Sequence, residues 1–403
     1  MQKDFLPVLL GGDLNCYSMA RAFYEACGTP SLVLGKERLG IVRHSRYLTF
    51  REVPRLGEGR VFLQALRALA AETAGKNRLL VACTDEYVRL VIENRKTLLP
   101  DYILLYPQEN ALPLLEKDEF YRQCAHYGIP YPQTLTLTEL PTFDEIAAIG
   151  HELTYPHIIK PSVSDAYWHY PFAGMQKVYL AHNMHEAECI FASIFRAGYP
   201  LPVLAQRYIG GEGSTAKTLT LYFDRHGRLA MRAAARILLE EQTPRGKGNY
   251  AAAVTCPIPR VAEPLAKMLT AMDYRGFANF DLRCDADGQE YVLEINLRQG
   301  RSNYHLTAAG CNPAALLYRD LILGEALVPQ DADTEVLYHT APLSLLRRYI
   351  ESEEDARLLG RLRAVSPFFA RADLLHNPLR LAYVAAHMYR QRGKFHRYAV
   401  CYR

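Results

Sequence analysis

Residues 277–296 read Phe277-Ala278-Asn279-Phe280-Asp281-Leu282-Arg283-Cys284-Asp285-Ala286-Asp287-Gly288-Gln289-Glu290-Tyr291-Val292-Leu293-Glu294-Ile295-Asn296. Two runs that alternate apolar and polar side chains flank Asp287-Gly288, a dipeptide suited to a two-residue hairpin turn. With that pair at the tip, Asp281 stands opposite Glu294 and Asn279 opposite Asn296. Alternation puts all four on one face, with Phe280, Leu282, Leu293 and Ile295 on the other. Carboxylates paired across two strands come within about 5 Å between Cβ atoms, where like charges repel, so a cation is expected between them.

Magnesium suits that position, because it is a hard cation held by one or two carboxylates, an amide oxygen and substrate phosphates while keeping some waters. Asp281, Glu294 and Asn296 are therefore the candidate metal ligands. An EF-hand loop is excluded: aligning its glycine with Gly288 places the cation Arg283 at the first ligand position. Directly after the hairpin comes Leu297-Arg298-Gln299-Gly300-Arg301-Ser302-Asn303-Tyr304. Two guanidinium groups beside a metal site suit phosphate or carboxylate chemistry.

Outward toward the N-terminus, apolar strands alternate with helical stretches: Leu6-Pro7-Val8-Leu9-Leu10, a helix over 17–27, Ser31-Leu32-Val33-Leu34, a helix over 62–74, Leu79-Leu80-Val81-Ala82-Cys83 and a helix over 86–94. Such alternation predicts a parallel sheet covered by helices, with ligands at the carboxyl ends of the strands. That rule singles out Thr84-Asp85 and Gly11-Gly12-Asp13, where Gly12 and Asp13 are candidates for holding a substrate at a helix start. The same turn lacks the G-x-G-x-x-G pattern of dinucleotide folds, and Gly210-Gly211-Glu212-Gly213-Ser214-Thr215 lacks the lysine of a P-loop.

From 111 the pattern changes to a helix over 114–126, the breaker Gly128-Ile129-Pro130-Tyr131-Pro132, a strand over 134–137, a helix over 144–151 and the strand Pro156-His157-Ile158-Ile159-Lys160-Pro161. A tail over 331–403 is helical in pattern, with six basic residues and no acidic one from Arg380 onward. Its readings are a solvated helix face and an amphipathic stretch for weak contact with an anionic membrane surface or for an anionic substrate. Arg232 and Arg236 share a strand face, as phosphate-reaching groups or as members of a salt-bridged strand.

The motif Glu294-Ile295-Asn296-Leu297-Arg298, with Asp281 before it, resembles the metal-binding end of the ATP-grasp superfamily. Other landmarks follow in order: Lys117, Lys160 before Pro161, and the hinge-like Gln206-Arg207-Tyr208-Ile209-Gly210-Gly211-Glu212. The resemblance implies a Rossmann-like pre-ATP-grasp domain over 1–110, an ATP-grasp domain over 111–330 with a lid over about 135–205, and a helical C-terminal extension over 331–403. The fold class is thus α/β followed by α+β. It further implies ATP and Mg²⁺ as cofactors, with Lys117, Lys160 and Lys177 on phosphates, Gln206, Arg207, Tyr208 and Ile209 on adenine, and Glu212 on ribose. Arg298 would stabilise the transferred phosphoryl group and the tetrahedral oxyanion. Arg301 and Ser302 are candidates for a substrate carboxylate.

Three positions depart from the family pattern: Gln206 where Glu is frequent, Leu297 where Pro is common, and an aromatic loop through Tyr167-Trp168-His169-Tyr170 where glycines are usual. Pro7-Val8-Leu9-Leu10-Gly11-Gly12-Asp13, Tyr17-Ser18-Met19-Ala20-Arg21, the Tyr167-Trp168 loop and Gln176-Lys177-Val178-Tyr179 most resemble the D-aspartate ligases of peptidoglycan synthesis. The implied partners are an amino-acid substrate and a peptidoglycan-precursor acceptor. Another amino acid or bicarbonate is the alternative.

Composition is that of a soluble globular protein and not of a disordered or fibrous one. The 403 residues are 49% apolar and 22% charged with a formal charge of +4, too small a surplus to announce nucleic-acid binding. Nine scattered cysteines without a C-x-x-C pair read as buried thiols in a reducing compartment. Neither a signal peptide nor a transmembrane stretch is legible, so a cytoplasmic location is expected.

Overall fold

The computed structural model describes residues 4–400 other than 212, 244, 245 and 247. The chain opens with a four-stranded parallel sheet in the order Leu48–Glu52, Ser31–Gly35, Phe5–Leu10, Asn77–Ala82, flanked by the helices Leu14–Cys27, Gly59–Glu72 and Asp85–Glu93. Phe5–Leu10 lies between two neighbours and is buried almost throughout, which is why it reads as an unbroken apolar run. Leu48–Glu52 escapes that reading because it is an edge strand whose side chains alternate between core and solvent. Gly11, at φ +145°, makes the turn into the first helix.

The helix expected over 114–126 is two elements, a 3-10 segment Glu109–Leu115 and the α-helix Lys117–His126. Pro113 sits inside the first, and Glu116 at φ −90°, ψ 127° breaks the register. Lys117 consequently opens the second helix instead of lying within a longer one.

A small antiparallel sheet follows, ordered Thr134–Leu137, Val203–Arg207, His157–Pro161, Tyr179–Ala181, with the helices Phe143–Leu153 and Met184–Arg196 packed against each other. Its core includes Ile146, Ile149, Ile159, Phe191, Ile194 and Val203. The aromatic loop belongs to this core: Tyr167 is buried, shares a 2.7 Å hydrogen bond with the Tyr179 hydroxyl, and meets Tyr199 edge-on.

The largest sheet runs Glu290–Asn296, Gly276–Cys284, Thr215–Phe223, Leu229–Glu240, Tyr250–Thr255, Val336–His339, Arg363–Val365, with Gln330–Ala332 pairing beside Leu229–Glu240. The C-terminal region is helical, ending in the long helix Pro378–Tyr398, and it also contributes three short strands to this sheet. Leu337, Leu345, Leu346 and Ile350 bury against Ala251, Ala252 and Val254, at roughly 1.5–3 kcal/mol per fully buried large aliphatic side chain. The tail returns to the first sheet through Arg380, which makes a fully buried 2.9 Å ion pair with Asp373 and donates to the Ile41 carbonyl. Arg232 and Arg236 both pair with the same region, through Asp331 and Asp355. They therefore belong to a salt-bridged strand and not to a phosphate site.

The described cysteines are all free, but only Cys16, Cys83, Cys124, Cys284 and Cys311 are buried. Cys189 lies on the outer face of its helix and is exposed, which corrects the uniform burial expected from composition. Among the described residues no helix is long and apolar enough to cross a membrane.

Candidate active site

The hairpin sets Asp281 opposite Glu294 and Asn279 opposite Asn296, as alternation predicts, but by a different route. Its loop has three residues, 286–288, closed by the Asp285 amide donating to the Gln289 carbonyl, with Gly288 at φ +78°. One strand then pairs Leu282 with Val292 and Asp281 with Glu294, leaving Leu293 as a bulge that restores the register. The bulge turns Leu293 out of the core and into the cleft wall, a correction to its expected place beside Phe280 and Ile295.

Between the small sheet and the hairpin lies a cleft of about 320 Å³. Lys117, Lys160, Lys177, Asp281 and Glu294 line it on the polar side; Ile158, Leu180, Ile209, Leu282 and Leu293 supply apolar wall. Gln206, Arg207, Tyr208 and Ile209 line it as well, at the joint between the two sheets. Glu212 lies outside the described residues. Among the described residues none between Pro161 and Lys177 contributes to the wall, and Tyr167, Tyr170 and Phe172 pack into the core of their own subdomain.

Gln206, at the position where an acid is frequent, is buried and accepts from Lys160 Nζ at 2.8 Å. Its amide donates to the hydroxyls of Tyr121 and Thr134 at 2.9 and 2.8 Å, which fixes the oxygen toward the lysine. Burial, reinforced by Lys117 and Lys177, lowers the Lys160 pKa to about 7 despite Glu294. Lys117 reaches the Ser162 carbonyl at 3.3 Å and Glu294 at 3.7 Å.

A second cavity of about 160 Å³ adjoins the first. Asn279, Asn296, Arg298, Arg301, Ser302 and Tyr338 line it, and Lys177, Tyr250, Asp281 and Glu294 belong to both. The carboxylate pair is therefore the partition between two chambers. Burial and the neighbouring Glu294 push the Asp281 pKa up, while the three lysines hold Glu294 low against its own burial. Tyr250 donates a 2.5 Å hydrogen bond to Asp281, a contact the sequence pattern does not reveal because Tyr250 comes from a different strand. Two repelling carboxylates and the Asn296 amide oxygen fit a magnesium ion completed by phosphate and water. Among the described residues no group of three His, Cys, Asp or Glu side chains is placed to hold a metal ion.

Arg298 donates to Asp85 Oδ2 at 2.8 Å and to Asn296 Oδ1 at 3.1 Å. Its Nε is buried without a hydrogen-bond partner among the described residues. The loop carrying it is held by a buried amide cluster in which Gln299 and Asn303 both donate to Asn15 Oδ1, at 3.2 and 2.6 Å. Asp13 caps the first helix by accepting from the Cys16 amide and lies 4.0 Å from Arg301. Gly12 is buried beneath Phe50 and the Glu37 carbonyl, and neither it nor Asp13 lines the two cavities.

The architecture is shared with solved structures. The biotin carboxylase domain of Hydrogenobacter thermophilus 2-oxoglutarate carboxylase, determined with MgADP and bicarbonate, superposes with a TM-score of 0.61 at 15% identity over 82% of this chain and 72% of that one. N5-carboxyaminoimidazole synthetase from Staphylococcus aureus, complexed with ADP, gives 0.57 at 15% identity over 82% and 80%. At such identity the likeness establishes the fold. With the relatives below it defines the class: an ATP-grasp ligase, which couples cleavage of ATP to ADP and phosphate with formation of a C–N bond and uses ATP and Mg²⁺.

No family model matches the sequence. D-aspartate ligase of Enterococcus faecium (strain Aus0004) is 30% identical over 375 residues, covering 89% of this chain and 88% of that protein. D-alanine–D-alanine ligase of Verminephrobacter eiseniae (strain EF01-2) is 28% identical over 214 residues, 49% of this chain and 58% of that one. The chain belongs to the D-aspartate ligase family.

Proposed function

We propose that this ligase joins the β-carboxyl of D-aspartate to the side-chain amine of lysine in a peptidoglycan-precursor stem peptide, in the cytoplasm. The observation that carries the reading is the partition: one chamber with three lysines and an apolar wall meets a second, arginine-bearing chamber at the Asp281–Glu294 pair. That layout suits phosphoryl transfer between a nucleotide on one side and a carboxylate on the other.

In this reading Ile158, Leu180, Leu293 and the hinge 206–209 hold adenine, with Glu212 toward ribose, and Lys117, Lys160 and Lys177 neutralise phosphate oxygens. Asp281, Glu294 and Asn296 hold magnesium, which when bound offsets phosphate charge. A β-carboxylate oxygen attacks the γ-phosphorus and ADP leaves; the lysine amine attacks the resulting acyl carbon, and phosphate and a proton leave. Arg298, anchored by Asp85, faces the partition where negative charge develops in both steps. Arg301 and Ser302 engage the amino-acid substrate, Asp13 orients Arg301, and Gly12 shapes the turn that carries Asp13.

The test supplies ATP, Mg²⁺, a stem-peptide precursor and one acid at a time, following phosphate release and product mass. D-aspartate is expected to give an aspartylated precursor. Phosphate release with bicarbonate or another amino acid, and none with D-aspartate, would overturn the assignment.

A further inference from the structure

One wall of the second cavity comes from the C-terminal region. Val336–His339 pairs with Tyr250–Thr255, setting Tyr338 opposite Ala253. Alternation sends Leu337 into the cluster beneath the tail helices and Tyr338 to the other face, where it packs with Ala235, Ile237, Ala253 and Tyr304 and lines the cavity beside Arg298, Arg301 and Ser302.

Tyr338 is 1% exposed, and its hydroxyl has no hydrogen-bond partner among the described residues. Buried hydroxyls are almost always paired, so an orphan on a cavity wall points to a ligand. Arg301 and Glu241 are the charged groups that act on it. Arg301 itself is loosely held, 3.4 Å from Glu241 and 4.0 Å from Asp13. A free hydroxyl donor with an under-committed guanidinium makes a receptor for a carboxylate. The chamber already presents its reactive side at Asp281–Glu294, so the carboxylate received here is one that does not react.

We propose that the C-terminal region is part of the substrate site, and that Tyr338 is a specificity-determining residue which donates its hydroxyl to the non-reacting carboxylate of a dicarboxylic amino acid while Arg301 pairs with the same group. The proposal rests on the ligase reading above and extends it to a residue outside every motif of the sequence.

Tyr338→Phe removes one oxygen and keeps the ring that packs the core. With hydroxylamine as nucleophile and saturating ATP, the KM for D-aspartate is expected to rise by about tenfold or more, the scale of one hydrogen bond to a charged group, while kcat, the KM for ATP and the melting temperature stay put. For 3-aminopropanoate, which keeps the reacting carboxylate and lacks the other, wild type and variant should be equal, whether it is read as substrate or as competitive inhibitor. An unmoved KM for D-aspartate in an active variant, or an equal loss with 3-aminopropanoate, overturns the proposal alone. A wild type inactive with D-aspartate overturns the ligase reading and the proposal with it.

Discussion

Arg298 and Asp85, 213 residues apart, are joined by a 2.8 Å hydrogen bond from Nη2 to Oδ2. The pair ties the loop after the metal-site hairpin to the carboxyl end of the last strand of the first sheet. Asp85 is 44% exposed on its side chain, so the ion pair contributes at most about 1 kcal/mol to stability. Its consequence lies in aiming the guanidinium. Asp85→Asn should lower kcat by about 10²-fold, the cost of misplacing a catalytic group by an ångström, with the KM for ATP and the melting temperature nearly unchanged. Steady-state kinetics beside a thermal melt check this.

Lys160 predicts a pH dependence. Its pKa is held near 7 by burial, whereas phosphate beside it would restore the charged form. Nucleotide binding above pH 7 should therefore take up a proton, and ADP affinity should fall as pH rises from 7 to 9, by at most about tenfold per unit. Calorimetry without metal, in buffers of different ionisation enthalpy, reads the uptake directly. Gln206→Glu places a carboxylate where Lys160 now donates to an amide, so it should raise the lysine pKa and flatten the profile.

The tail docks by a buried charge. Arg380 and Asp373 are both fully buried, and Asp373 also accepts from the Tyr17 and Ser45 hydroxyls and the Arg46 amide. Arg380→Met should cost about 3–5 kcal/mol in urea unfolding, because it strands a buried carboxylate. Adding Asp373→Asn to that variant should recover part of the loss.

Much of this architecture is legible in the sequence because its parts are local. The Asp281–Glu294 pairing follows from alternation about a glycine turn, although a longer loop and the Leu293 bulge offset one another to produce it. The first sheet is legible where strands are central and unbroken in apolarity, and not at Leu48–Glu52, where an edge position dilutes the signal. Asp85 is legible as the residue after a strand's carboxyl end, whereas Tyr250 and Tyr338 reach the site through strand neighbours distant in sequence, and no spacing rule finds them. The tail's strands are too short for a period to show among its helices.

The central claim is that Asp281 and Glu294 clasp a divalent cation between nucleotide and substrate. Titration of Mn²⁺ in the presence of ADP, followed by electron paramagnetic resonance, tests it in wild type and in Glu294→Gln. The account predicts protein-bound Mn²⁺ that requires ADP in the wild type and at least tenfold weaker binding in the variant. Equal Mn²⁺ affinity in the two proteins would contradict it.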